Sequence, residues 1–138
     1  MTALRLSCHC GAVAIEVPQR PEQVVDCNCS LCRRIGALWA HYALGAWAAE
    51  GDARVLPPTL LGTVTLSGHP EHTAEYIWGD KTLRTLHCRH CGIVTHWEPL
   101  QAEPGARHGV NMRNADPAAL QGVRVRRFDG ADSWKYLD

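Results

Sequence analysis

The chain has 138 residues, a mass of 15.2 kDa, and 14 basic against 14 acidic side chains, so its formal net charge is zero. That length suits one domain with its own core, and the charge balance excludes a strongly basic nucleic-acid binder and an acidic tail protein. With 20% charged and 46% hydrophobic residues the composition is globular, not disordered.

In chain order the sequence predicts mostly strands. Residues 4–7 form a short strand that ends at Cys8-His9-Cys10-Gly11. Over Ala12–Val17, Val13, Ile15 and Val17 alternate with Ala12, Ala14 and Glu16, the two-residue period of a strand; Pro18 and Pro21 close it. Val24–Asp26 leads into Cys27-Asn28-Cys29-Ser30-Leu31-Cys32, and Leu38–Tyr42 is a further strand. Gly45–Pro58 reads as a long loop over one edge. Leu60–Ser67, Ala74–Trp78, Leu83–His87 and Ile93–Glu98 follow as strands, separated by Gly, Pro and Asp. Arg107–Met112 and Val123–Phe128 are two more. Between them Asp116-Pro117 supplies an N-cap and a first-turn proline for one short helix, Ala118–Gln121. No solenoid repeat, low-complexity tract or domain linker interrupts residues 1–138, which are expected to form a single, mainly antiparallel β domain.

The seven cysteines carry the chemistry. They fall at 8, 10, 27, 29, 32, 88 and 91. An odd number, in a chain with no apolar export signal in its first ten residues and no apolar run of about 20 residues, points to a cytoplasmic metal-binding protein and away from a disulfide framework. Clustered thiols in a reducing compartment suit zinc. Cys27, Cys29 and Cys32 lie within six residues, so one loop can wrap them around one ion. The pairs 8/10 and 88/91 each supply half a site; joined, they make a closed four-thiolate set and leave the three-thiolate set with an open fourth position, the kind that admits water or substrate. A grouping of 8/10 with 27/29 is the alternative, and a histidine (His9, His41, His87 or His90) is able to close the three-cysteine site.

Cys8-His-Cys-Gly-Ala-Val13, Cys27-Asn-Cys-Ser-Leu-Cys-Arg-Arg-Ile-Gly36, Cys88-Arg-His-Cys-Gly92 and Phe128-Asp-Gly-Ala-Asp-Ser-Trp134 together resemble the glutathione-dependent formaldehyde-activating enzyme family, which includes the centromere protein V group. The resemblance implies the β-rich fold shared with a zinc-binding chaperone of Rab GTPases, with zinc knuckles and one or two short helices. It implies two zinc ions per chain: a structural one on Cys8, Cys10, Cys88 and Cys91, and a catalytic one on Cys27, Cys29 and Cys32. The implied reaction is that of a carbon–sulfur lyase run backwards, in which glutathione adds to formaldehyde to give S-hydroxymethylglutathione. The partner is then a small-molecule thiol or a thiol–carbonyl adduct, with neither nucleic acid nor membrane. The other reading, in the manner of the Rab chaperone and the centromere relatives, is a non-catalytic binding module stabilised by zinc.

Other conspicuous residues have two readings each. Three thiolates and a substrate thiolate around one divalent ion leave excess negative charge, which Arg33 or Arg34 is placed to offset; otherwise both face solvent. Trp39 and His41 share a strand face and either wall the pocket, with His41 as an acid or base, or serve as a packed Trp and an ordinary surface His. Asn111 and Arg113 end a strand, and either grip a carboxylate or are simply solvated. Arg124, Arg126 and Arg127 read as a solvated strand edge, and Trp78, Trp97 and Trp134 are expected in the core.

Overall fold

A computed structural model describes residues 3–43, 60–61, 64–101 and 106–138. The predicted long loop at 45–58 lies outside the described residues.

Two sheets carry the chain. β1 (Leu4–Ser7), β2 (Ala14–Val17), β6 (Val64–Ser67) and β5 (Leu60–Leu61) form a four-stranded sheet in that spatial order. The second sheet runs β11 (Arg124–Phe128), β3 (Gln23–Cys27), β4 (Trp39–Ala43), β10 (Arg107–Asn111), β9 (Val94–Pro99), β8 (Leu83–Cys88) and β7 (Thr73–Tyr76). The mainly β architecture expected from the alternation is therefore present. β2 starts two residues late because Ala12 and Val13 belong to the preceding turn, where the Cys8 N–H donates to the Val13 carbonyl. The predicted strand over 60–67 is two antiparallel strands, β5 and β6, with Leu61 opposite Val64. One pairing departs from the antiparallel expectation: β11 lies parallel to β3, with Phe128 beside Cys27.

Alternation divides the large sheet into two faces. Val24, Ala40, Tyr42 and Val110 meet Leu6, Ile15, Val17, Val64 and Leu66 of the small sheet in an apolar core. Val25, Cys27 and Trp39 point the other way and pack with Ala37, Cys29, Cys32 and Trp97. Farther along the same sheet the burial becomes ionic, with Arg84 opposite Glu98 across β8 and β9 and both inaccessible to solvent.

Helix is scarce. A single turn, α1 (Cys32–Ile35), follows the middle knuckle and ends at Gly36, whose N–H donates to the Cys32 carbonyl. The short helix expected at 118–121 is a 3₁₀ turn over Pro117–Leu120, capped by the Asp116 carboxylate on the Ala118 N–H. Among the described residues no helix is long and apolar enough to cross a membrane. Two tryptophans expected in the core are not there: Trp134 is 70% exposed and Trp78 37%. Trp134 stacks edge-on against Phe128 at the open end of β11, and Trp78 follows the edge strand β7. The arginine-rich β11 is an edge strand, as expected, with Arg126 lying 3.7 Å over the ring of Tyr136.

Candidate metal centres

Two turns of near-identical construction bring four thiols together. After β1, the Gly11 N–H donates to the Cys8 carbonyl; after β8, the Gly92 N–H donates to the Cys88 carbonyl, and the Cys88 N–H to Ile93 O. Gly92 has φ 79°, a left-handed conformation that side chains with a Cβ resist. The sulfurs of Cys8, Cys10, Cys88 and Cys91 all lie within 4.8 Å of one another. Cys8 and Cys10 are 3.8 Å apart and Cys10 and Cys88 3.6 Å. Zinc–sulfur bonds of about 2.3 Å in a tetrahedron place sulfurs about 3.8 Å apart, so the donor set fits that ion. Backbone N–H groups aim at the sulfurs, Val13 N on Cys8 and His90 N on Cys88, both at 3.4 Å.

The second group, Cys27, Cys29 and Cys32, lies on the other side of the large sheet. Cys27 ends β3, and Cys32 opens α1. The Cys32 N–H donates to the Cys29 sulfur at 3.3 Å, and the indole N–H of Trp39 donates to the Cys32 sulfur at 3.4 Å. Trp39 is thus buried on β4 and also touches a thiol. No fourth His, Cys, Asp or Glu among the described residues joins the three sulfurs within 4.8 Å. A hydrogen bond from the Cys32 thiol, followed by the backbone N–H groups of Cys29 and Gly130, holds Cys27 down to about 6 despite burial. Cys32 is pushed up by the same shared proton and by burial. Such a proton-sharing set readily exchanges its protons for a cation.

The C-terminal motif closes over this group, a role that its sequence did not disclose. Asn28 donates its backbone N–H to Phe128 O at 3.1 Å and its side-chain amide to Asp129 at 3.0 Å, and accepts from the Ala131 N–H at 3.0 Å. Asp129 also accepts from the Ser133 N–H and hydroxyl, and these partners, Asn28 first, keep its carboxyl below the ordinary value. Gly130 passes so close that a Cβ there would stand 2.6 Å from the Cys27 sulfur and 3.3 Å from Cys29 Cβ.

The sequence profile described as glutathione-dependent formaldehyde-activating enzyme matches residues 3–121. The chain belongs to that family. The match spans all seven cysteines and stops short of the closing loop at 128–134. The crystal structure of a Rhodobacter sphaeroides protein is similar, with a TM-score of 0.62 and 29% identity over 88% of this chain and 99% of that one. No match is found among curated proteins. The family is named for an enzyme, and both cysteine groups are able to hold metal ions, consistent with zinc.

The remaining predicted site residues are distributed less simply. Arg34 is exposed and donates to Ser30 O at 2.6 Å, bracing the knuckle's backbone, while Arg33 is exposed. His41 packs edge-on against Trp97 with ring centres 5.8 Å apart. Burial, aided by the charge of Arg107, pushes its imidazole down to about 4, so it is neutral at neutral pH. His9, His41, His87 and His90 all stay outside the three-cysteine group; His90 meets His72 at 3.0 Å instead. Asn111 is a buried brace, not a solvated strand end. It accepts from the Leu38 and Arg113 N–H groups and donates to Val94 O. Arg113 is exposed, anchored through Nε to Gly36 O at 3.0 Å, and lines a cavity of about 370 Å³ beside Ile35 of α1.

Proposed function

We propose that this chain is a zinc-dependent carbon–sulfur lyase-type enzyme that joins a thiol to a small carbonyl compound, with glutathione and formaldehyde, giving S-hydroxymethylglutathione, as the pair its family is named for. The observation that carries this reading is the three-sulfur group at Cys27, Cys29 and Cys32, which no fourth protein ligand completes among the described residues. A closed site holds a fold together; a site with one position left over is built to admit something. In the addition, a carbon–sulfur bond forms, the carbonyl π bond breaks, and the thiol proton passes to the carbonyl oxygen, so no oxidant or reductant is needed. Zinc at this group supplies Lewis acidity and favours the thiolate form of a bound thiol.

The chain's own residues do the positioning. The Trp39 indole and the Cys29 and Gly130 backbone N–H groups fix the orientation of the Cys32 and Cys27 sulfurs, as outer partners of metal ligands do. Arg113 carries its charge at the cavity next to α1 and suits a carboxylate of a peptide thiol. The four-sulfur group at Cys8, Cys10, Cys88 and Cys91 ties β1 to β8 and serves as the structural site.

Two-dimensional exchange NMR on a mixture of glutathione and its hydroxymethyl adduct tests the reading. The expected outcome is faster exchange with the wild-type protein than with an equal concentration of Cys29→Ser. Equal rates would remove glutathione and formaldehyde as the substrate pair, though not the broader joining of a thiol to a carbonyl compound.

A further inference from the structure

A third group of ligand-type side chains, separate from both cysteine groups, lies in the ionic part of the fold, where Thr73, bonded to His69, stands opposite Cys88 across β7 and β8. His69 Nε2, His96 Nε2 and one carboxylate oxygen of Glu98 converge within 4.8 Å of one another, and the three residues are 4%, 0% and 0% exposed. Both imidazoles stand 3.4 Å from the same oxygen, Glu98 Oε2. Both contacts are longer than a good hydrogen bond of about 2.7–3.0 Å, and the geometry leaves His96 Nε2 and Glu98 Oε2 buried without a well-aligned partner.

The surroundings accommodate a ring proton on Nδ1 of both histidines. The Thr95 hydroxyl donates to Leu86 O at 3.3 Å, so its oxygen accepts from His96 Nδ1, 3.0 Å away. With the Thr73 hydroxyl turned to Pro70 O, 3.4 Å away, its oxygen is free to accept from His69 Nδ1 at 2.7 Å. In that tautomer, which the threonines support, each Nε2 presents a bare lone pair to Glu98 Oε2. Three buried acceptors facing one another are unfavourable unless a cation stands between them. Protonating both rings instead would crowd two imidazoliums around the carboxylate that Arg84 already pairs at 2.9 Å, and would be expected to draw the contacts in to the 2.7–2.9 Å or so of charge-assisted bonds.

We propose that His69, His96 and Glu98 form a third metal site, distinct from both cysteine groups, that binds a divalent transition-metal ion through two imidazole nitrogens and one carboxylate oxygen. Ligand bonds of about 2.0–2.2 Å in a tetrahedral arrangement separate donor atoms by about 3.3–3.6 Å, which matches the two 3.4 Å spacings. The threonines occupy the second ring nitrogens and Arg84 occupies the other oxygen of Glu98, the outer hydrogen bonds that metal-ligating histidines and carboxylates commonly have. His69 and Thr73 also line a cavity of about 320 Å³ with Glu75 and Arg89, which gives the ion an entry path. Two imidazoles and a carboxylate select zinc, iron, cobalt or nickel over the hard cations.

Cobalt(II) is the probe. Protein produced in cobalt-supplemented minimal medium should contain one more cobalt per chain than its cysteine groups account for, and His69→Gln should lose that one ion. The loss should reduce d–d absorption while the thiolate-to-cobalt charge-transfer band stays unchanged. The wild-type protein should also show two exchangeable, strongly shifted imidazole N–H signals in its proton NMR spectrum, which thiolate ligands cannot produce. Absence of those signals overturns the site even if no variant folds, and so does a folded His69→Gln or Glu98→Gln protein that keeps its full cobalt content.

Discussion

Replacing Cys88 and Cys91 together by serine removes one half of the four-sulfur group and separates the two knuckles it joins. Cys10 and Cys88 are 78 residues apart in the chain and 3.6 Å apart in space. An unfolded chain must close a loop of that length before the same four sulfurs can gather, which costs about 4.5 kcal/mol at 25 °C on the loop-entropy relation. An ion at this group therefore favours the folded chain by about that amount. Cys27 and Cys32 are five residues apart, and on the same relation an unfolded chain closes their loop for about 2 kcal/mol. Removing the middle group should cost correspondingly less. For a chain of this size, at about 3–4 °C per kcal/mol, zinc-saturated Cys88→Ser/Cys91→Ser should melt roughly 15 °C below the wild type or fail to fold. Cys29→Ser/Cys32→Ser should melt within about half that distance. Circular dichroism melts paired with elemental analysis measure both quantities. Refutation would be a Cys29→Ser/Cys32→Ser protein that collapses while Cys88→Ser/Cys91→Ser keeps its melting point, since the structural and reactive groups would then be reversed.

Gly130→Ala forces a methyl group against the Cys27 sulfur, so loop 128–134 must lift from the knuckle. Chelator competition should show one ion held at least about 10-fold more weakly, with secondary structure unchanged by circular dichroism. His41, held down to about 4 by burial and by Arg107, should titrate below pH 5 in histidine NMR. An unfolded histidine titrates near 6.5; its pKa is depressed on folding, so its contribution to stability is complete above pH 6.5 and declines as pH falls from there toward 4. His41→Gln should flatten that part of the stability profile, and an unchanged profile would refute the assignment.

What the sequence disclosed was local. The knuckles were legible because a Cys-x-Cys or Cys-x-x-Cys turn is decided within a few residues, and β2 because Val13, Ile15 and Val17 alternate with their neighbours over its own length. Long-range pairing was not legible. Nothing near Val123–Phe128 says that its neighbour is β3, about a hundred residues earlier, or that the two run parallel. Turn α1 escaped because four residues, Cys32–Ile35, are too few to show a period. Trp134 was misplaced because aromatic size suggests burial, whereas its ring covers Phe128 from the solvent side. The third ligand group escaped because alternation reads His96 and Glu98 as a water-facing side. Only a register that sets Arg84 against Glu98 turns that side inward.

The parallel pairing of β11 with β3 gives the molecule an order of completion. A ribosome delivers Cys27, Cys29 and Cys32 early, yet the segment that packs on Cys27 and ties Asn28 to Asp129 emerges 101 residues later. Until it arrives, β3 is an unpaired sheet edge and the knuckle is open on the side that Gly130 later covers. The three-sulfur group is thus open to incoming metal throughout synthesis and acquires its final surroundings last. A nascent chain stalled before β11 would carry the cysteines but not the enclosure, and loss of the last seventeen residues would remove that enclosure while leaving every cysteine in place.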